Sequence, residues 1–367
     1  MKILFFLHHP AHFYLFRNTI HSLKENGHEI ILLATRKDFL EILLDREGFS
    51  YTNVLPKGRK DNRFAIAIGL LKQDFRLLQV CLEHKPDLLV GTSTEICHIG
   101  RLLKIPNLFT NEDDIEIIPL VGKIAYPFAR NLLIPDCCST GKWEGKSIKY
   151  PGYHELAYLH PNHFSPDPEV LIKYHLSDDS YFIIRFAKLT AHHDSGAKGI
   201  STDIARNLIE ILESSGAILI TSERELEPEF EKYRLDINPL DIHHIISFAS
   251  LFIGDSQTMA AESGVLGTPF IRYNDFVGRI GYLDELENKY HLGYGIKTSE
   301  EKKLYSTVRD LISTPNLKDE WKLRRQNMLS EKIDVSQYLT QLIENYPQSI
   351  QNHDNCSDYL ADPKQIL

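Results

Sequence analysis

No stretch of the 367-residue sequence stays apolar over the length that a membrane span needs. The opening run Met1–Leu7 is shorter than a secretory leader and is stopped by His8-His9-Pro10. The expected compartment is therefore the cytoplasm. There is no basic block, and the net charge is −9. That removes the positive footprint required for non-specific nucleic-acid binding, although it leaves room for a locally positive cleft. Cysteines number five (Cys81, Cys97, Cys137, Cys138 and Cys356), an odd count with the spacing of neither a zinc site nor a disulfide framework. The adjacent Cys137-Cys138 pair is expected to sit reduced at a strand end. No internal repeat is visible. Carboxylates at metal-ligand spacing are missing beside the His8-His9-Pro10-Ala11-His12 loop, so neither a metal nor another cofactor is expected.

What the sequence does have is length for two domains with full cores, an ordinary globular composition, and one organising stretch, Leu251–Ile271. It opens as a short apolar run that suits a buried parallel strand. Gly254-Asp255 ends the run, and Ser256 can cap a helix over Gln257–Leu266 that Gly267 stops. Pro269 and the apolar residues after it open the next strand. A strand, a sharp turn and a helix start favour an anion, because free N–H groups and the helix dipole both point at it. Glu262, six residues after Ser256, is placed to meet a sugar hydroxyl. The plain alternative is that Ser256 is only a cap and Glu262 only a solvated carboxylate.

Strand–loop–helix–strand units run along the rest of the chain. Ile3–Leu7 reads as a strand, Phe13, Phe16, Ile20 and Leu23 recur at helical spacing up to Asn26-Gly27, and Glu29–Ala34 reads as the next strand. Right-handed crossovers between parallel strands follow from this order. An amphipathic segment over Arg63–His84 leads to a strand at Asp87–Gly91, a helix around Ile96–Leu103 and a strand at Pro106–Thr110. Leu132–Pro135 reads as the last strand of this half. A first Rossmann-like domain over 1–150 is followed by a Pro-, His- and aromatic-rich linker at 151–168 and a second domain over 169–330. That domain begins with a strand at Tyr181–Ala187, a helix from Thr202 and a strand at Ala217–Thr221. A C-terminal helix at 331–347 is expected to cross back onto the first domain, and the polar tail 348–367 to be loose. The fold class is α/β, two doubly wound domains facing a cleft at the strand C-termini.

Three clusters are candidates for chemistry. His8, His9 and His12 follow the first strand, where an imidazole suits proton transfer near neutral pH. Arg185, Lys188, His192, His193 and Asp194 flank Ser195-Gly196-Ala197-Lys198-Gly199, a loop suited to a diphosphate. Asn111-Glu112-Asp113-Asp114 follows the strand that ends at Thr110. Each competes with a plain reading: a packed histidine, a surface loop, a solvated acidic turn.

Taken with Asn238-Pro239-Leu240-Asp241, the Asp255–Glu262 stretch resembles the nucleotide-sugar half of the non-hydrolysing UDP-N-acetylglucosamine 2-epimerases, and its Ser…Glu helix is similar to that of the lipid II glucosaminyltransferase. The chain as a whole, to about Pro347, resembles a prokaryotic GT-B-like family of unassigned chemistry. The resemblance implies a GT-B fold in which Asp255, Ser256, Gln257 and Thr258 contact UDP phosphates, Glu262 binds ribose, and Arg185 and Lys198 lie by the donor. It implies catalytic places for His12, Glu112 and His193. Gln257-Thr258 stands where the epimerases have Gly-Gly, and Gly91-Thr92-Ser93 stands where they carry an acid. That missing acid counts against proton removal and return. His243-His244, in a loop the epimerases use near the nucleotide, is read as structural. The expected function is a glycosyltransferase of surface polysaccharide synthesis, using a UDP-sugar donor and an acceptor hydroxyl deprotonated by His12 or Glu112. An epimerase and a non-catalytic nucleotide-sugar binder are the alternatives, and an oligomer is left open.

Overall fold

The computed structural model describes residues 1–37, 39–55, 63–176, 180–187 and 199–351. The first domain carries strands β1 (Lys2–Leu7), β2 (Glu29–Thr35), β3 (Thr52–Leu55), β4 (Leu88–Gly91), β5 (Asn107–Thr110), β6 (Asn131–Pro135) and β7 (Ser147–Tyr150). Between them lie helices α1 (Pro10–Glu25), α2 (Leu40–Arg46), α3 (Arg63–His84), α4 (Thr94–Leu103) and α5 (Pro119–Ile124). The second domain begins with α6 (Glu169–Lys173) and continues through β8 (Tyr181–Phe186), α7 (Thr202–Leu212), β9 (Ala217–Ser222), α8 (Ile242–Phe248), β10 (Leu251–Gly254), α9 (Gln257–Leu266), β11 (Phe270–Tyr273), α10 (Gly281–Asn288) and β12 (Gly293–Ile296). Helices α11 (Glu301–Ser313), α12 (Leu317–Glu331), α13 (Val335–Glu344) and α14 (Gln348–Gln351) follow.

The strand orders are β3-β2-β1-β4-β5-β6-β7 and β12-β11-β10-β8-β9. Within each sheet every neighbouring pair is parallel. In the first sheet the order reverses between β1 and β4, and in the second between β8 and β10. A doubly wound sheet leaves its crevice at such a reversal, because the connecting helices diverge to opposite faces there. The reversal in the first sheet puts the His8–His12 loop beside Thr92. In the second it puts Ala187 beside Asp255.

Strand periodicity sorts the side chains between the two faces of the first sheet. Ile3, Phe5 and Leu7 face the large core under α1, while Leu4 and Phe6 join Leu77, Ile96 and Cys97 on the opposite face. Among the described residues no helix is long and apolar enough to cross a membrane.

The reading of Leu132–Pro135 as the last strand of its half is corrected: Ser147–Tyr150 pairs in parallel with it and forms the edge. That strand was hidden because only Ile148 and Tyr150 of its four residues are buried, and two lysines flank the pattern. Two more short strands, Thr52–Leu55 and Gly293–Ile296, carry Asn or Gly and give no clear alternation.

Helix α13 lies against α1 of the first domain. Val335, Leu339 and Ile343 are fully buried, and Thr19 Oγ1 lies 3.4 Å from Ser336 O. Asp334 caps the helix by accepting from Gln337 N at 3.0 Å, and it also receives His163 Nε2 at 2.8 Å. Leu339→Ala is expected to lower stability by about 2–4 kcal/mol, the usual cost of a cavity in a closed core. Urea unfolding followed by circular dichroism measures it, and a change below about 0.5 kcal/mol would remove α13 from the core.

Candidate functional site

The two domains meet through side chains that leave the C-terminal ends of the first sheet's strands. After β5, Asp114 Oδ1 accepts from Ser139 N at 2.8 Å, and its Oδ2 accepts from Gly281 N at 2.6 Å, at the start of α10 in the other domain. A carboxylate at a helix start satisfies a free N–H and meets the positive end of the dipole. The approach is close enough to require glycine: a Cβ on Gly281 would stand 2.3 Å from Cys137 O. Tyr153 OH donates to Glu285 Oε2 at 2.6 Å across the same seam, where Lys332 Nζ lies 2.7 Å from Glu285 Oε2 and 3.5 Å from Asp136 Oδ1. Asp136, Cys137 and Glu285 are the metal-like grouping among the described residues. The buried Lys332 amine already supplies a positive charge there.

Helix α9 forms where the cap and stop signals place it. Ser256 Oγ accepts from Met259 N at 3.4 Å, and Gly267 takes a left-handed φ of 84°. Ser256, Gln257 and Thr258 are half-buried at its first turn. Glu262 lies deeper, 6% exposed. Its Oε1 receives Tyr158 OH at 2.8 Å and stands 3.0 Å from His243 Nε2. The Tyr14 ring from α1 closes the group, with centroids 5.1 Å from Tyr158 and 5.2 Å from His243. One carboxylate oxygen is thus fixed by two donors, and among the described residues no hydrogen bond engages the other. The Tyr14 hydroxyl is buried without a partner, and burial together with the Glu262 charge raises its pKa.

Asp255 is engaged differently. Its Oδ1 accepts from Ala187 N at 2.6 Å and its Oδ2 from Ile200 N at 3.1 Å, so it ties together the two ends of the segment between those residues. Burial raises its pKa to about 6. Gly199 allows this, since a Cβ there would meet Asp255 Oδ2 at 2.4 Å. Arg185 ion-pairs with Glu223, and its buried Nε has no partner among the described residues. Lys188, His192, His193, Asp194 and Lys198 lie outside the described residues. Arg272, on β11 and fully buried, bonds Glu287 Oε1 at 2.8 Å while its Nη2 is unpartnered.

On the other side of the seam, His12 Nδ1 accepts from His8 N at 3.2 Å, and Thr92 Oγ1 lies 2.8 Å from Nδ1 and 3.0 Å from Nε2. Burial, then the neighbouring imidazoles of His9 and His8, hold His12 well below the usual range, so it is neutral at pH 7. Glu112 Oε2 accepts from His154 N at 3.3 Å and stands 3.3 Å from His154 Nδ1. Glu155 is 1% exposed, and its Oε2 has no partner. Burial, and then the charges of Glu112 and Glu262, push its pKa well above the carboxylate range. Each unpartnered buried polar atom costs about 1–3 kcal/mol, and a group of them marks a place where a ligand completes the bonding.

The structure therefore brings Glu112 and His12 into one half of the seam, and Ser256 and Glu262 into the other. Sequence reasoning passed over His154, Glu155 and Tyr158 and read His243 as structural; these four residues join the halves. Their signal was present: His154, Glu155 and Tyr158 fall within five residues of a segment read only as a hinge.

Two parallel doubly wound domains, with their reversal points turned toward a shared seam, define the GT-B class. The chain belongs to the family described as "Protein of unknown function (DUF354)", whose model matches residues 1–281. No curated protein matches the sequence. Among solved structures, the chain is similar to the UDP-GlcNAc 2-epimerase of Neisseria meningitidis bound to UDP-GlcNAc, with a TM-score of 0.68 and 15% identity over 94% of this chain and 100% of that one. It is similar to the UDP-GlcNAc 2-epimerase of Methanocaldococcus jannaschii, with a TM-score of 0.62 and 14% identity over 89% and 99%. It is also similar to the spinosyn rhamnosyltransferase SpnG complexed with spinosyn aglycone, with a TM-score of 0.61 and 12% identity over 94% and 100%. At these identities the likeness establishes the fold.

Glu95 gives the site a pH dependence. It is buried in the first turn of α4 with His8 Nε2 at 3.8 Å, and burial raises its pKa to about 7. Because the folded pKa exceeds the unfolded value, the protein loses stability as pH rises from the ordinary carboxylate range through about 7. Glu95→Gln is expected to be more stable than the parent by roughly 2 kcal/mol at pH 8, with the gain vanishing near pH 4. Paired urea titrations at the two pH values check this, and a gain of equal size at both would contradict it.

Proposed function

We propose that the seam binds a UDP-sugar and that the protein is a glycosyltransferase, acting in surface polysaccharide synthesis. The observation that carries this reading is Glu262. It sits on the helix whose first turn can hold phosphate, with one oxygen fixed by Tyr158 and His243 and the other available to ribose hydroxyls. The α9 start, with Ser256, Gln257 and Thr258, would take the diphosphate, and Arg185 and Lys198 would lie beside it. In the transfer step an acceptor hydroxyl attacks the anomeric carbon and UDP leaves with the bonding electrons. N–H groups and the helix dipole stabilise the developing charge. The proton passes to a base; His12 and Glu112, at the C-terminal ends of the first sheet's strands, are candidates, and His193, outside the described residues, is a further one.

A sugar-nucleotide 2-epimerase is the second reading. It is favoured by Glu155, a buried carboxyl whose pKa is pushed up by burial and by the charge of Glu112 beside it. It is opposed by the missing acid at Gly91-Thr92-Ser93.

Glu262→Gln is expected to weaken UDP binding by about 1–3 kcal/mol, the scale of a charged hydrogen bond, as read by calorimetry. Equal affinity in variant and parent would sink the ribose assignment. In heavy water, UDP-N-acetylglucosamine incubated with the protein should gain no deuterium at C2, since transfer touches only the anomeric carbon. Deuterium at C2, with UDP-N-acetylmannosamine forming, would establish the epimerase instead.

A further inference from the structure

We infer that His154, positioned by Glu112, is the general base that takes the acceptor's proton. This rests on the transferase reading and goes beyond it by naming a residue in the segment that joins the domains. Among the imidazoles at the C-terminal edge of the first sheet, those of His12 and His154 have their lone pairs disposed differently. His12 Nδ1 accepts from His8 N at 3.2 Å, so its proton sits on Nε2, and Nε2 faces Thr92 Oγ1 at 3.0 Å. Both nitrogens of His12 are thereby engaged by the protein, and neither presents a lone pair to a substrate.

His154 has the opposite arrangement. Glu112 Oε2 receives its backbone N–H at 3.3 Å and stands 3.3 Å from its Nδ1, so the carboxylate holds the chain that carries the ring and lies beside the ring itself. A carboxylate beside Nδ1 favours the proton on that nitrogen and leaves the lone pair on Nε2. Nε2 is buried and has no hydrogen-bond partner. Contacts of this length in a ligand-free site tighten when the substrate arrives. Glu155 follows in the chain, and Tyr158 of the same segment reaches Glu262 at 2.8 Å. One short segment thus connects the base to the carboxylate assigned to the donor, which fixes the distance between acceptor and nucleotide. In the step, the acceptor O–H gives its proton to Nε2 as the oxygen bonds to the anomeric carbon. The bond from that carbon to the UDP oxygen breaks, and the electron pair leaves with UDP. His154 becomes an imidazolium facing the Glu112 carboxylate.

The test combines three measurements on the full-length protein. Nitrogen-15 NMR of labelled histidine, with His154→Gln assigning the signal, should show His154 protonated on Nδ1 and His12 on Nε2 at pH 8. Glu112→Gln should abolish the His154 preference. Calorimetry should give His154→Gln an affinity for UDP within about threefold of the parent. UDP release from a panel of UDP-sugars, with water as acceptor, should fall about a hundredfold or more in His154→Gln and in His154→Ala, with added imidazole restoring part of it in the alanine variant. A proton on Nε2 of His154, or unchanged UDP release in the variants, overturns the base assignment while UDP binding stands. Absence of UDP binding or of UDP release in the parent overturns the transferase reading and the base assignment with it.

Discussion

The carboxylate of Glu262 is held by the joining segment and by α8, with a ring of the first domain packed against both donors, and the rest of the site is arranged around that constraint. Removing a carboxylate from water costs several kcal/mol unless donors replace the lost hydration. The phenol of Tyr158 comes from the joining segment, the imidazole of His243 comes from α8, and the ring of Tyr14 comes from α1. Placing these groups together requires the two sheets to stand with their strand C-termini toward the same seam. The clamp of Asp114 on the start of α10 and the return of α13 onto α1 hold them there. The joining segment is accordingly part of the core, with Tyr153, Leu156, Ala157 and Leu159 fully buried.

Among the described residues, charge at the seam is set largely by imidazoles and carboxyls. His12 is kept neutral by burial and neighbouring histidines, and Glu155 is kept neutral by burial and neighbouring carboxylates. Glu112 lies beside His154, and its charge acts on Glu155. A site of this kind can accept and return a proton without moving net charge far. On the proposed reading, that suits attack by a hydroxyl, while the α9 start would meet the phosphate charge through dipoles.

Local signals made α9 legible. Ser256 before an apolar helix and Gly267 after it fix its ends, and the structure has the helix at Gln257–Leu266. The two-domain α/β order was legible for the same reason, since strand and helix periods alternate along the chain. The edge strand Ser147–Tyr150 was not, because only half of its residues are buried. The site was legible in part. Glu112 and Glu262 could be named because each follows a strand or turn at a recognisable offset. Asp255 carried the same kind of signal, but both of its oxygens bind the backbone of its own domain, which no local pattern reveals. His154 and Tyr158 were missed because their proline-, glycine- and aromatic-rich surroundings look like a hinge. Their meaning comes from contacts with Glu112 and Glu262, 42 and 104 residues away.

A crystal structure of the protein soaked with UDP tests the central claim most directly. The account predicts the diphosphate at the first turn of α9, by Ser256 and Thr258. It predicts a ribose hydroxyl within hydrogen-bond distance of Glu262 Oε2, while Oε1 keeps Tyr158 and His243. UDP bound away from α9, or Glu262 turned from the nucleotide toward its protein partners alone, would contradict it.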